Sequence, residues 1–191
     1  MFKRLVVVLV CILLIPTIAA SATQEGTRNF GEFWVGGHGG GLFAADSDAK
    51  ATVGGIIGYN FCMPYRPAWQ RYFGVAVDFS WNQFSHTIGD LGKVKGDQFA
   101  LTFLGRVQLP LMGDERFSRG RLVPFLMAGP AVVWTNNYGN ERSDVGVVAE
   151  LGMEIFMIPR LSIGPSFRYR HVWITEGQNQ YMVLGRLAYH F

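Results

Sequence analysis

Residues 73–82 alternate without a break: Phe73, Val75, Val77, Phe79 and Trp81 fall on one side of an extended chain, and Gly74, Ala76, Asp78, Ser80 and Asn82 on the other. Successive side chains of a strand point to opposite faces, so a period of two identifies a strand with two chemically distinct faces. The same period marks eight segments, roughly 31–43, 52–61, 72–84, 97–110, 121–135, 145–158, 160–174 and 181–191. Most reach the length of about ten residues that a tilted, membrane-crossing strand needs. Beyond residue 22 no apolar run is long enough for a membrane-crossing helix.

Which face is outside follows from the contents of the polar one. Segment 97–110 sets Phe99, Leu101, Phe103, Val107 and Leu109 against Gln98, Ala100, Thr102, Arg106 and Gln108. Segment 145–158 sets Val145, Val147, Ala149, Leu151, Met153, Ile155 and Met157 against Gly146, Val148, Glu150, Gly152, Glu154 and Phe156. Segment 181–191 sets Tyr181, Val183, Leu187, Tyr189 and Phe191 against Met182, Leu184, Arg186, Ala188 and His190. The polar face of a soluble sandwich looks to water and carries mixed surface charge. Here that face holds glycine, alanine and a few ions, while the apolar face is large and continuous, so the apolar face is the outer one. An even number of strands closes without an edge and pairs every backbone donor in lipid. The expected fold is therefore all-β, an eight-stranded antiparallel up-and-down transmembrane β-barrel. Trp34, Tyr59, Tyr72, Trp81, Trp134, Trp173, Tyr181 and Tyr189 are expected to form its interfacial girdles.

The N-terminus has Lys3 and Arg4, an apolar run from Leu5 to Ile15, and small residues at Ala20-Ser21-Ala22. This is the pattern of a secretory signal peptide, expected over 1–22, with the barrel domain over 23–191. Lys3 and Arg4 leave with it, taking the formal charge of +3 down to +1, so the basic sequence pI gives no reason to expect nucleic acid as a partner. Cys11 also leaves, and Cys62 alone makes no intramolecular disulfide.

These features together, with the terminal strand YMVLGRLAYHF, resemble the small outer-membrane β-barrel family that includes the OmpA transmembrane domain, OmpX and the opacity proteins. The resemblance implies integral residence in the outer membrane of a Gram-negative bacterium and contact with outer-membrane lipids and lipopolysaccharide. It implies that Tyr189 and Phe191 act as the assembly signal read by the barrel-assembly machinery. Strand eight ends the chain, so no peptidoglycan-binding domain is expected after it. The segment from Phe167 onward also resembles the C-terminal end of the outer-membrane lipid A deacylases, with His171 matching the histidine of a His-x-Ser motif. Trp173 stands where the serine belongs, and a base without a nucleophile has nothing to activate. The expected function is a structural or surface-interaction barrel with a side-chain-filled lumen, not an enzyme. A lipid A-modifying barrel, a small porin and a soluble lipocalin-like binder are the alternatives.

In segment 160–174, Leu161, Ile163, Phe167, Tyr169, His171 and Trp173 share the outer face, and Ser162, Gly164, Ser166, Arg168 and Arg170 the inner. For the glutamates of one strand and the arginines of the next to share a lumen, the connection around Ile158-Pro159-Arg160 must hold an odd number of residues, most simply three. Asp78, Arg106, Glu150, Glu154, Arg168, Arg170 and Arg186 are then expected to form an ion-pair network, with Glu150 opposite Arg168 or Arg170, because charges in so narrow a lumen must be paired. His38 is expected inside as a polar core residue. The run GGHGGG at 36–41 has no strand–loop–helix context and no following Lys-Ser or Lys-Thr, so it is read as a coiling strand rather than a phosphate loop. No metal or cofactor is expected. Pro124, Pro130 and Pro165 each remove a ladder donor, so bulges are expected near them. With the N-terminus in the periplasm, extracellular loops are expected at about 44–51, 85–96, 136–144 and 175–180, and periplasmic turns at 62–71, 111–120 and 159.

Overall fold

The structure is a computed structural model that describes residues 31–44, 47–61, 72–87, 93–113, 120–137, 140–173 and 178–191. Eight strands run β1 Gly31–Ala44, β2 Ser47–Phe61, β3 Phe73–Thr87, β4 Lys93–Gln108, β5 Leu122–Asn137, β6 Asn140–Ile158, β7 Leu161–Val172 and β8 Gln178–His190. Each pairs antiparallel with its sequence neighbours, and β1 pairs with β8, closing the barrel. Residues 1–22, expected as a signal peptide, lie outside the described residues together with Cys62 and Trp69, as do the middles of several connections.

The faces divide as the alternation predicts. Gly74, Ala76, Asp78, Ser80 and Asn82 of β3 are buried in the lumen, as are Met182, Leu184, Arg186, Ala188 and His190 of β8. Leu151, Val183, Phe103 and Leu187 stand on the outer wall. β5 is apolar on both sides, and the structure turns Val123, Phe125, Met127, Ala131 and Val133 inward and Leu126 and Trp134 outward.

Four expectations are corrected. First, Trp34 is in the lumen and fully buried, not in a girdle, because it has the same parity as the inward His38. Its register partner is Gly58, where an added Cβ would run into the indole ring, so the glycine makes the space the ring fills. Second, Pro124, Pro130 and Pro165 carry no bulge: the register runs straight through them between β5 and β6 and between β7 and β8. Instead the ladder lapses beside Pro130 on the β4 side and beside Pro165 on the β6 side, with the register unchanged across each gap. Gly129 and Gly164 precede these two prolines and press against the next strand, where a Cβ would collide with the carbonyl of Phe103 and of Met153 respectively. A local close approach thus replaces the extra residue.

Third, the β6–β7 connection holds two residues, Pro159 and Arg160, between the paired Ile158 and Leu161. Two residues alone would put the wrong face of β7 inward. A bulge at Met157 restores the parity: Phe156 pairs with Ser162, and Glu150 comes opposite Arg168. Fourth, at the opposite end of the barrel the strands run further than the alternation of apolar residues reaches. Residues 47–51, 85–87, 93–96, 136–137, 140–144 and 178–180, expected as loop, are strand, because hairpin pairing continues through polar residues once the ladder is established.

Candidate functional site in the barrel lumen

The even-numbered residues of β3, β4, β6, β7 and β8 converge on the axis of the barrel, and the charged ones meet there. Arg168 projects from β7 between two carboxylates. Its Nη1 and Nη2 donate to Asp78 Oδ1 and Oδ2 on the opposite wall at 2.8 and 2.9 Å, and its Nε donates to Glu150 Oε2 at 2.8 Å. The second oxygen of Glu150 accepts from Arg186 Nη1 at 2.9 Å. His38 Nε2 completes the surround of Asp78 at 2.7 Å from Oδ2. Arg106 is held by both oxygens of Glu154, at 3.0 and 2.7 Å. These guanidiniums and carboxylates are at most 5 % exposed, so each pair must offset the cost of leaving water through short, often forked contacts.

Aromatic rings fill the space between the charges. The Arg106 guanidinium carbon lies 5.0 Å from the Trp34 ring and 4.9 Å from Phe125; that of Arg186 lies 5.6 and 4.7 Å from the same two rings. Two cations and two π faces thus pack as one plug across the half of the lumen nearer the chain termini.

Arg170, two residues along β7, has different company. Its Nε donates to Gln180 Oε1 at 2.7 Å and its Nη2 to Gln98 Oε1 at 2.6 Å. Among the described residues no carboxylate lies within ion-pair distance of it. The structure therefore brings Asp78, Arg106, Glu150, Glu154, Arg168 and Arg186 together as charged neighbours and separates Arg170 into an amide cluster with Gln98, Gln178 and Gln180.

At the terminal end of the lumen, Ser162 Oγ lies 3.0 Å from His190 Nε2, and His190 Nδ1 lies 2.9 Å from Glu32 Oε1. The order serine, histidine, glutamate is that of a nucleophile, its base and the base's orienting acid. All three are at most 6 % exposed, and the His190 ring is packed between Phe156 and Trp34. A nucleophile so enclosed offers no face to an acyl group, and the set reads as a polar strut, with a hydrogen bond joining β7 to β8 at Ser162–His190 and a close His190–Glu32 contact reaching β1. Sequence reasoning did not single out Ser162, His190 or Glu32 as a set, although their shared parity at the strand ends was available. His171 faces outward, and its Nδ1 contacts Asn179 Oδ1. Tyr189 and Phe191 face outward in edge contact at 5.1 Å, and the Phe191 amide donates to the Phe33 carbonyl across the closing seam. Among the described residues no cluster of His, Cys, Asp or Glu has the makings of a metal site.

A family model described as an outer membrane protein beta-barrel domain matches residues 9–191. Among solved structures, the chain is similar in fold to the Neisserial surface protein A NspA, at 10% identity with a TM-score of 0.58, over 83% of this chain and 97% of that one. It is also similar to the outer membrane protein OprG from Pseudomonas aeruginosa, at 14% identity with a TM-score of 0.56, over 86% and 97% of the two chains. A third likeness is the N-terminal β-barrel domain of Pseudomonas aeruginosa OprF, at 13% identity with a TM-score of 0.50, over 84% and 99%. None of the curated proteins matches this sequence.

Proposed function

Because the chain belongs to the outer membrane protein beta-barrel domain family, we propose that it is a structural and surface-interaction barrel of a Gram-negative outer membrane, without enzymatic activity and without an open pore. The observation that carries this reading is the lumen. Paired charges and the Trp34–Arg106–Phe125–Arg186 plug occupy the space through which a solute would pass. The termini then lie on the periplasmic side, with residues 1–22 acting as a cleaved signal peptide and Tyr189 and Phe191 engaging the barrel-assembly machinery. The four hairpin ends that join β1 to β2, β3 to β4, β5 to β6 and β7 to β8 lie outside the cell, where surface contact is made.

The test has three readouts on one preparation. Fractionation recovers the mature protein, lacking residues 1–22, from detergent-extracted outer membranes, in a form that migrates faster on gels before heating than after. In planar bilayers it gives no sustained ion conductance. A fluorophosphonate probe leaves the folded protein unlabelled. Recovery in a soluble fraction overturns the location, steady conductance overturns the closed lumen, and labelling at Ser162 makes the Ser162–His190–Glu32 set a catalytic one.

A further inference from the structure

The outer wall has one feature that a uniform lipid-facing surface does not need. At the distal end of the β7–β8 pair, Tyr169 and His171 project outward from β7, Trp173 is exposed just beyond its end, and Asn179 and Tyr181 project from β8, with His171 opposite Asn179 and Tyr169 opposite Tyr181. Asn179 Oδ1 accepts from the Tyr169 hydroxyl at 2.8 Å and lies 2.8 Å from His171 Nδ1. A carbonyl oxygen only accepts, so Nδ1 is the donor to it, and Nε2 takes no part in this network. The Asn179 amide nitrogen is left to donate.

Rings frame these groups. Trp173 stands edge-on to His171 at 5.7 Å, and Tyr181 packs against Tyr169 at 5.4 Å and over Phe167 at 6.3 Å. Trp173 and Tyr181 are 52% and 43% exposed. Nearer the terminal end of the same wall come Phe167, Val183, Ile163 and Leu187, all apolar and exposed, so the cluster sits where the apolar band ends. Aromatic residues at such a boundary are ordinary. A histidine and an asparagine fixed between them by directed hydrogen bonds are not, since each carries an ordering cost that a lone interfacial tyrosine avoids.

We propose that this cluster is a subsite for the sugar head group of an outer-leaflet glycolipid. The inference deepens the outer-membrane reading above and rests on its orientation. Exposed ring faces suit the C–H faces of a pyranose, and neutral donors and acceptors suit its hydroxyls. None of the five residues is a lysine or arginine, so recognition is by hydroxyl and ring rather than by phosphate.

The test uses the full mature chain folded into phosphatidylethanolamine–phosphatidylglycerol vesicles, with graded amounts of lipid A or of the same lipid stripped of its phosphates. The readout is the rise in the unfolding midpoint with glycolipid content, from which an apparent affinity is taken. The wild type binds both forms, with little dependence on salt, and His171→Ala/Asn179→Ala binds about tenfold more weakly, as expected for two lost hydrogen bonds. The double variant unfolds like the wild type in vesicles without glycolipid; if it fails to close, Trp173→Leu provides the same comparison. Equal affinity in wild type and variants overturns the proposal, as does binding that vanishes with the phosphates. A chain that forms a barrel in no vesicle refutes the membrane reading itself, a failure visible before any glycolipid is added.

Discussion

Arg168 and Arg170 stand two residues apart on β7, both 1% exposed, yet replacing each by methionine is expected to change stability by very different amounts. Methionine keeps most of the arginine stem and removes the charge. Arg168→Met leaves Asp78 with His38 alone and Glu150 with Arg186 alone. Breaking a buried pair in this way costs about 3–5 kcal/mol, because two buried carboxylates lose the guanidinium they share and Asp78 keeps none among the described residues. Arg170→Met removes two hydrogen bonds to amide oxygens, worth about 1 kcal/mol each, and Gln98 Oε1 keeps the donor Gln180 Nε2 at 3.0 Å. Against that loss stands the release of a buried cation with no carboxylate in ion-pair contact among the described residues, whose desolvation costs several kcal/mol. The net change for Arg170→Met is within about 1 kcal/mol of zero. The two variants therefore differ by at least about 2 kcal/mol, roughly a thirtyfold difference in the unfolding equilibrium constant. Urea unfolding in bilayers, followed by tryptophan fluorescence and by the gel shift between folded and unfolded bands, measures both. Equal losses, or a loss below about 1 kcal/mol for Arg168→Met, would refute the assignment of Arg168 as the centre of the network.

Gly58→Val drives a side chain into the Trp34 indole and is expected to destabilise by about 1–3 kcal/mol in the same unfolding assay, whereas Trp34→Ala/Gly58→Val recovers part of the loss. Deleting Met157 removes the bulge but leaves Phe156 opposite Ser162 and Glu150 opposite Arg168; the variant is expected to yield a heat-modifiable band like the wild type, and loss of that band would show that the bulge itself is needed. Trp34→Ala combined with Arg106→Ser thins the plug, and bilayer recordings are expected to show conductance steps absent from the wild type; silence would place the block elsewhere in the lumen.

Strand number, order and facing were legible because the lumen and the lipid impose opposite chemistry on alternate residues, and that contrast is strongest in β3, β4, β6 and β8. Trp34 was misplaced for want of the same rule: its place near a strand end suggested a girdle, while its parity with His38 already placed it inside. The partners of Arg170 stayed hidden because Gln180 reads as part of a polar loop, and its place on β8 appears only when hairpin pairing carries the strand outward. The need for a parity change between β6 and β7 was visible, but not its form. A bulged Met157 and a three-residue loop satisfy the same count, and only backbone geometry separates them.

Asp78 and Arg168 lie 90 residues apart in the chain and meet across the axis of the barrel. No partial sheet brings them together, since β3 and β7 face one another only when β8 has found β1. Until then Asp78 lacks Arg168, whose only carboxylate at that stage, among the described residues, is Glu150 of the adjacent β6, and exposing Asp78 to hydrocarbon would be costly. The open sheet must keep its charged face toward water or an assembling protein while the apolar face enters the bilayer. Insertion and closure thus become a single late event, and the network acts as a latch that distinguishes a finished barrel from one that has only begun to curl.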